Sequence, residues 1–188
     1  MRKSFCSLIS FLLFSLLACG AASAHWYVAP TGNDANNGSK RKPLKTIAAA
    51  LQRVNPGDTV FLREGSYGEF VVPTRSGKPG KMITLKSYPG EIAKIDGSDL
   101  YVKGWGNALV QVNNIDYMQF ENLHICHAHD SENNTDPEGI YITGTSGNIT
   151  FRGCKVYDIK NDCPLVDAKG DWRSAHAILV LGTDDNTP

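Results

Sequence analysis

The sequence predicts an all-β solenoid with one short helix near its start, and three observations carry that reading. Beyond residue 58, short apolar runs alternate with turns rich in Gly, Asn, Asp and Ser, which is the punctuation of strands. FENLHI at 120–125 and FRGCKV at 151–156 align at a spacing of 31, and GIYITG at 139–144 aligns with AILVLG at 177–182 at a spacing of 38. Units of that length cannot bury their own apolar side chains, so successive copies must stack. Helical periodicity occurs in one place only. A β-sandwich is the alternative that short strands alone would allow.

Taken from the start, Arg2 and Lys3 form a positive n-region, 5–17 is an apolar run, and Ala22-Ser23-Ala24 is a small-x-small cleavage site. We therefore expect a signal peptide at 1–24 and a mature chain, beginning at His25, that is secreted or extracytoplasmic. The alternative is a lipoprotein signal, with Leu16-Leu17-Ala18-Cys19 as lipobox and Cys19 lipidated. The apolar run is shorter than the roughly 20 residues of a membrane span, so no span is expected.

The loop at 32–39, GNDANNGS, offers the oxygens of a calcium loop at Asn33, Asp34, Asn36 and Asn37. The frame fails, because Ala35 holds the central ligand position and no Glu closes it twelve residues on. Asn and Asp supply turn geometry instead, so the loop is a corner. Thr46 is then the N-cap of a helix whose Ile47, Ala50, Leu51 and Val54 share one side. NPGD at 55–58 stops it. Strands follow at Thr59–Leu62, 70–72, 82–88, 93–96, 108–112, 117–125, 139–143, 147–159 and 177–181, with REGSYGE at 63–69 and PTRSGKPGK at 73–81 as turns.

Charge is balanced, with 19 basic and 19 acidic residues and no basic tract, so a nucleic-acid partner is not expected. The mature chain keeps Cys126, Cys154 and Cys163. An odd number leaves one thiol unpaired or paired elsewhere, and Cys126 and Cys154 read as buried small hydrophobes within strands. No C-x-x-C pair exists, which disfavours zinc.

The stretch at 27–69, YVAPTGNDANNGSKRKPLKTIAAALQRVNPGDTVFLREGSYGE, resembles the opening of right-handed parallel β-helix proteins of the pectate-lyase superfamily, nearest the family-nine pectate lyases. NITFRGCKVYD at 148–158 is similar to one of that family's coils. The resemblance implies a right-handed parallel β-helix over 25–188, with the helix laid across its open apolar end. Without such a lid, core residues and strand edges would be bare. About four or five coils fit at this repeat length, and GTDDNTP at 182–188 follows a strand with no second lid. We therefore expect the N-terminal part of a longer domain.

The resemblance also implies a monomeric polysaccharide lyase acting on an acidic polysaccharide such as pectate. In such lyases Ca²⁺ offsets the uronate charge, and a Lys or Arg removes the adjacent proton in β-elimination. No position here matches the family's catalytic Lys and Asp cluster, so no catalytic residue is carried over. Alternatives are a non-catalytic carbohydrate-binding or surface β-helix, or a glycoside hydrolase using two carboxylates about 5–9.5 Å apart.

Local candidates remain. DAKGDWRSAH at 167–176 brings Lys169, Trp172, Arg173 and His176 together, cations beside a ring that suit an acidic sugar; a solvated loop is the alternative. Asp184 and Asp185 follow a strand directly and are the calcium candidates, against ordinary turn chemistry. HICHAHDSENNTDPE at 124–138 carries His124, His127, His129, Asp130, Asp136 and Glu138. We read His124 as a strand position and the remainder as a polar turn. A zinc or copper site would need three of these to converge, and their spacing fits no template.

Overall fold

A computed structural model describes residues 23–100, 107–130, 136–162 and 174–182. Within them the strands are β1 (His25–Val28), β2 (Thr59–Leu62), β3 (Gly65–Tyr67), β4 (Ile83–Ser87), β5 (Ala93–Asp96), β6 (Ala108–Asn113), β7 (Asp116–Glu121), β8 (Leu123–Asp130), β9 (Glu138–Gly144), β10 (Gly147–Arg152), β11 (Lys155–Asn161) and β12 (His176–Gly182), and the helix is α1 (Ile47–Leu51). They build three sheets in the orders β1-β2-β4-β7-β10, β3-β5-β8-β11 and β6-β9-β12. All strand pairs are parallel and join strands of successive turns. That is a parallel β-helix. A sandwich pairs its strands antiparallel, so that alternative falls.

The sequence spacings are coil lengths. Phe120 pairs with Phe151 and Ile125 with Val156, 31 residues apart, while Ile140 pairs with Ile178 at 38. Inside the stack the Phe120 and Phe151 rings lie parallel with centroids 4.6 Å apart. Val60, Leu85 and Phe120 continue that buried column down through β2, β4 and β7. The repeat is also written in the backbone. Tyr117 and Asn148, Asn122 and Gly153, and His127 and Asp158 all have positive φ, each pair at the same spacing of 31.

Four expectations are corrected, the first being the strand at 70–72, where only Val71 pairs, through an isolated bridge to Val110. The runs at 117–125 and 147–159 are each two strands, bent at Asn122 (φ 54°) and Gly153 (φ 63°). A single left-handed residue turns the chain without adding a loop, and Asn and Gly are the residues that adopt it at least cost. REGSYGE contains β3, whose three residues pair with Ala93, Lys94 and Ile95. Its Tyr67 is buried, with the hydroxyl donating to the carbonyls of Val28 (3.1 Å) and Arg63 (2.8 Å). HICHAHD is strand throughout, so His127, His129 and Asp130 stand on β8 rather than in a turn.

The opening loop is a corner. Asp34 accepts from the amides of Lys45 (2.8 Å) and Thr46 (2.9 Å) and from the Thr46 hydroxyl (3.0 Å). Asn33 and Asn37 cap the amides of Ala35 and Ser39, and Arg53 donates to the carbonyls of Asp34 and Asn36. Oxygens engaged with the chain itself are not a cation cage. Thr46 accepts from the Ala49 amide, as an N-cap does, and the Glu69 carboxylate takes the amides of Ile47 (2.8 Å) and Ala48 (3.0 Å). Ile47, Ala50, Leu51 and Val54 are all buried, so α1 covers the first coil.

At the opposite end, Ile178 and Val180 of β12 are 51% and 62% exposed. Cys126 is buried and Cys154 half-buried, both as free thiols; Cys163 and Cys19 lie outside the described residues. No described helix is long and apolar enough to cross a membrane.

Candidate functional site

Asp130 ends β8 and Glu138 opens β9, and the two are 5% and 1% exposed. Glu138 stands in register between Ala108 of β6 and His176 of β12. Its Oε2 and the Nδ1 of His176 are buried without a hydrogen-bond partner among the described residues. Burial pushes the Glu138 carboxyl up, and the Asp136 charge adds to it, to about 7. Asp136 in turn accepts from the Ser174 amide at 3.0 Å, tying the approach to β9 to the approach to β12. A buried carboxyl balanced near neutrality can exchange a proton or give it up to a hard cation.

Of the residues read as sugar-binding, His176 is placed at the start of β12, half-buried. Lys169, Trp172 and Arg173 lie outside the described residues, as do Asp184 and Asp185. The first group precedes β12 and the second follows it. That strand has seven residues and so spans about 20 Å.

A second cluster lies along β5, β8 and β11. His127 has φ 59°, which breaks the alternation that otherwise sends consecutive side chains to opposite faces. One ring nitrogen of His127, the Cys126 sulfur and an Asp96 carboxylate oxygen consequently all lie within 4.8 Å of one another. His127 Nδ1 is 2.9 Å from Asp96 Oδ1, and its Nε2 is 3.7 Å from Asp158 Oδ2. His129 Nε2 reaches Asp158 at 3.1 Å, and its Nδ1 is 3.7 Å from Asp162. Burial pushes the Asp96 carboxyl up, but hydrogen bonds from Ser98 and His127 outweigh it and hold the group at about 2. His124 stays apart, edge-on to Tyr157.

Asp96 escaped the sequence reading because it sits one coil earlier. Its pairing with Cys126 was also one residue out of the repeat: the offset is 30, so extending the spacing of 31 back by one coil would have set Ile95, not Asp96, beside Cys126.

An aromatic group on the first sheet is closed on itself. Tyr27 and Phe61 stack at 5.3 Å, Lys40 and Arg63 lie over Tyr88, and Lys86 lies over Phe61. Arg63 is also bound to Glu91 and Lys86 to Glu121, so these cations already have partners.

Residues 26–184 match the family described as "Pel9A-like, right handed beta helix region". "Uncharacterized protein YwoF" of Bacillus subtilis is 32% identical over 144 residues, covering 77% of this chain and 31% of its own length. Pectate lyase PEL9 of Emericella nidulans is 26% identical over 147 residues, covering 72% and 34%. Among solved structures, the GH136 lacto-N-biosidase of Eubacterium ramulus matches in fold, with a TM-score of 0.58 at 18% identity over 86% of this chain and 31% of its own. The chain thus spans about a third of the length of the curated relatives it matches. With its three parallel sheets, its coil-length repeats and this match over nearly all described residues, the chain belongs to the Pel9A-like right-handed β-helix family.

Proposed function

We propose that the chain forms the first coils of an exported, monomeric polysaccharide lyase acting on an acidic, pectate-type polysaccharide by Ca²⁺-assisted β-elimination. The observation that carries the reading is the family match over 26–184. It is supported by pectate lyases among the relatives and by the exposed inward side chains of β12, on which a further coil would stack. Export rests on the signal-peptide pattern at 1–24, with Cys19 lipidation as the alternative.

The acidic corner fits a hard cation. Glu138 presents a buried carboxylate oxygen with no hydrogen bond, and Asp136 adds charge beside it. Oxygen donors of this kind are what Ca²⁺ takes. Glu138 and Asp136 would hold this ion, and Asp184 and Asp185 are proposed as carboxylates for a second one. Bound there, Ca²⁺ would withdraw charge from a uronate carboxylate and acidify the neighbouring C–H. In the elimination a base takes that proton, the adjacent C–O bond breaks, a C=C bond forms, and the departing oxygen is protonated. Lys169, Arg173 and His176 would neutralise and position the uronates, with Trp172 stacking on a sugar ring.

A hydrolase is the second reading, favoured by Glu138, whose carboxyl near 7 suits a general acid. The test sets the natural full-length gene product beside residues 25–188, both on polygalacturonate with and without Ca²⁺. The proposal expects Ca²⁺-dependent absorbance of an unsaturated uronate from the full-length product, and binding without cleavage from 25–188. New reducing ends without that absorbance would replace elimination by hydrolysis. Binding with neither product leaves the carbohydrate-binding reading.

A further inference from the structure

We propose that Asp96, Cys126 and His127 form a binding site for a zinc-class metal ion on the outer side of the coil stack. The site is separate from the acidic corner of β8, β9 and β12. Three donors of different chemistry, a carboxylate, a thiol and an imidazole, lie within 4.8 Å of one another. Asp96 comes from β5 and the other two from β8, so an ion held by all three would tie neighbouring coils together. Sulfur and nitrogen exclude calcium and magnesium, and the mixed set is the one that zinc accepts.

One of the three ligand–ligand distances is near that of an occupied site. Two ligand atoms of tetrahedral zinc stand about 3.3 Å apart, and His127 Nδ1 is 2.9 Å from Asp96 Oδ1. The sulfur lies within 4.8 Å of both and would close to about 3.6 Å around an ion with Zn–S of about 2.3 Å, so binding draws the three donors together. The supporting shell is present as well. Ser98 donates to Asp96 Oδ1 at 2.6 Å, the carboxylate of Asp158 lies 3.7 Å from the far nitrogen of His127, and the Tyr157 hydroxyl is bonded to the thiol. Carboxylates that orient a ligating imidazole from its other nitrogen are the usual second layer of such sites. Three protein donors leave a fourth position for solvent.

Two other uses of the same residues fit less well. A Cys–His–Asp set can make a nucleophile, but Cys126 has no exposed surface beneath Tyr157, and a nucleophilic thiol needs open approach to its substrate. An ordinary His–Asp ion pair accounts for the 2.9 Å contact. It leaves out the Cys126 sulfur, which lies within 4.8 Å of both groups; the positive φ at His127 itself belongs to the coil repeat, since Asp158 shares it one coil on.

The test is titration of the reduced, exported full chain with Co²⁺, a coloured stand-in for zinc. The expected result is one Co²⁺ per chain, with the intense visible bands of a tetrahedral ion and a near-ultraviolet thiolate charge-transfer band, both removed by Zn²⁺ and unchanged by excess Ca²⁺. Cys126→Ser abolishes the thiolate band. Asp96→Asn weakens Co²⁺ binding by about tenfold or more. The double variant Cys154→Ser/Cys163→Ser keeps the full spectrum. A spectrum with visible bands but no thiolate band would assign the ion to the histidines and carboxylates alone and overturn the proposal. So would a thiolate band that survives Cys126→Ser. If Cys126→Ser does not fold, X-ray absorption of the zinc-loaded wild-type chain decides: a sulfur ligand at about 2.3 Å supports the site, and a shell of nitrogen and oxygen alone overturns it.

Discussion

Glu138 shows how one side chain couples folding to pH. Its carboxyl, 1% exposed, is raised from 4.5 to about 7, so the folded state holds the proton more tightly than the unfolded chain does. The group's contribution is fully present below 4.5 and is lost as pH rises through about 7. Above that, a cost on the order of 3 kcal/mol remains. Urea denaturation at pH 5 and pH 8 should show Glu138→Gln losing less stability over this interval than wild type. His176 and Asp136 flank the position, so the difference between the two proteins, rather than either profile alone, reports on Glu138. An equal pH dependence in both would remove it from the account. Asp34 makes the contrary case, because its three hydrogen bonds hold the opening corner. Asp34→Ala should cost about 2–4 kcal/mol by the same method, with no change in the loss when Ca²⁺ is added. The corner was legible because a failed calcium frame is visible in sequence. The Asp96 partnership was not read, because it crosses coils.

Elements were legible where the pattern was apolar and continuous. Thr59–Leu62 is β2 as read, and the capping helix has the expected Thr46 cap and buried face. What escaped were the bends. Alternation runs on through Asn122 and Gly153, so two strands read as one, and only backbone geometry marks the corner. β3 escaped for the opposite reason: Gly-Ser-Tyr has turn composition, and the strand exists because β5 pairs with it. These corners predict a graded response. Asn122→Gly should be nearly neutral, since glycine adopts φ 54° freely, while Asn122→Val should cost about 1–2 kcal/mol. Thermal unfolding of both variants checks it, and equal losses would mean that the corner does not depend on left-handed backbone.

In the molecule as a whole, stability comes from coils stacked on a shared column. Phe120 is fully buried and lies flat against Phe151, so Phe120→Ala removes contacts from the coils on both sides. It should cost about 3–5 kcal/mol in chemical denaturation. The solenoid was legible from spacings of 31 and 38 because coil length sets which residues lie over one another. The site was less legible. Lys169, Trp172, Arg173, Asp184 and Asp185 fall outside the described residues, and the buried corner of Glu138 and His176 is assembled by strands β9 and β12, 38 residues apart.

The most direct test of the central claim is the absorbance of unsaturated uronate when the full-length gene product meets polygalacturonate. The account predicts a Ca²⁺-dependent rise that chelation abolishes and that a neutral polysaccharide does not give. Reducing ends released without that absorbance, or release indifferent to Ca²⁺, would contradict it.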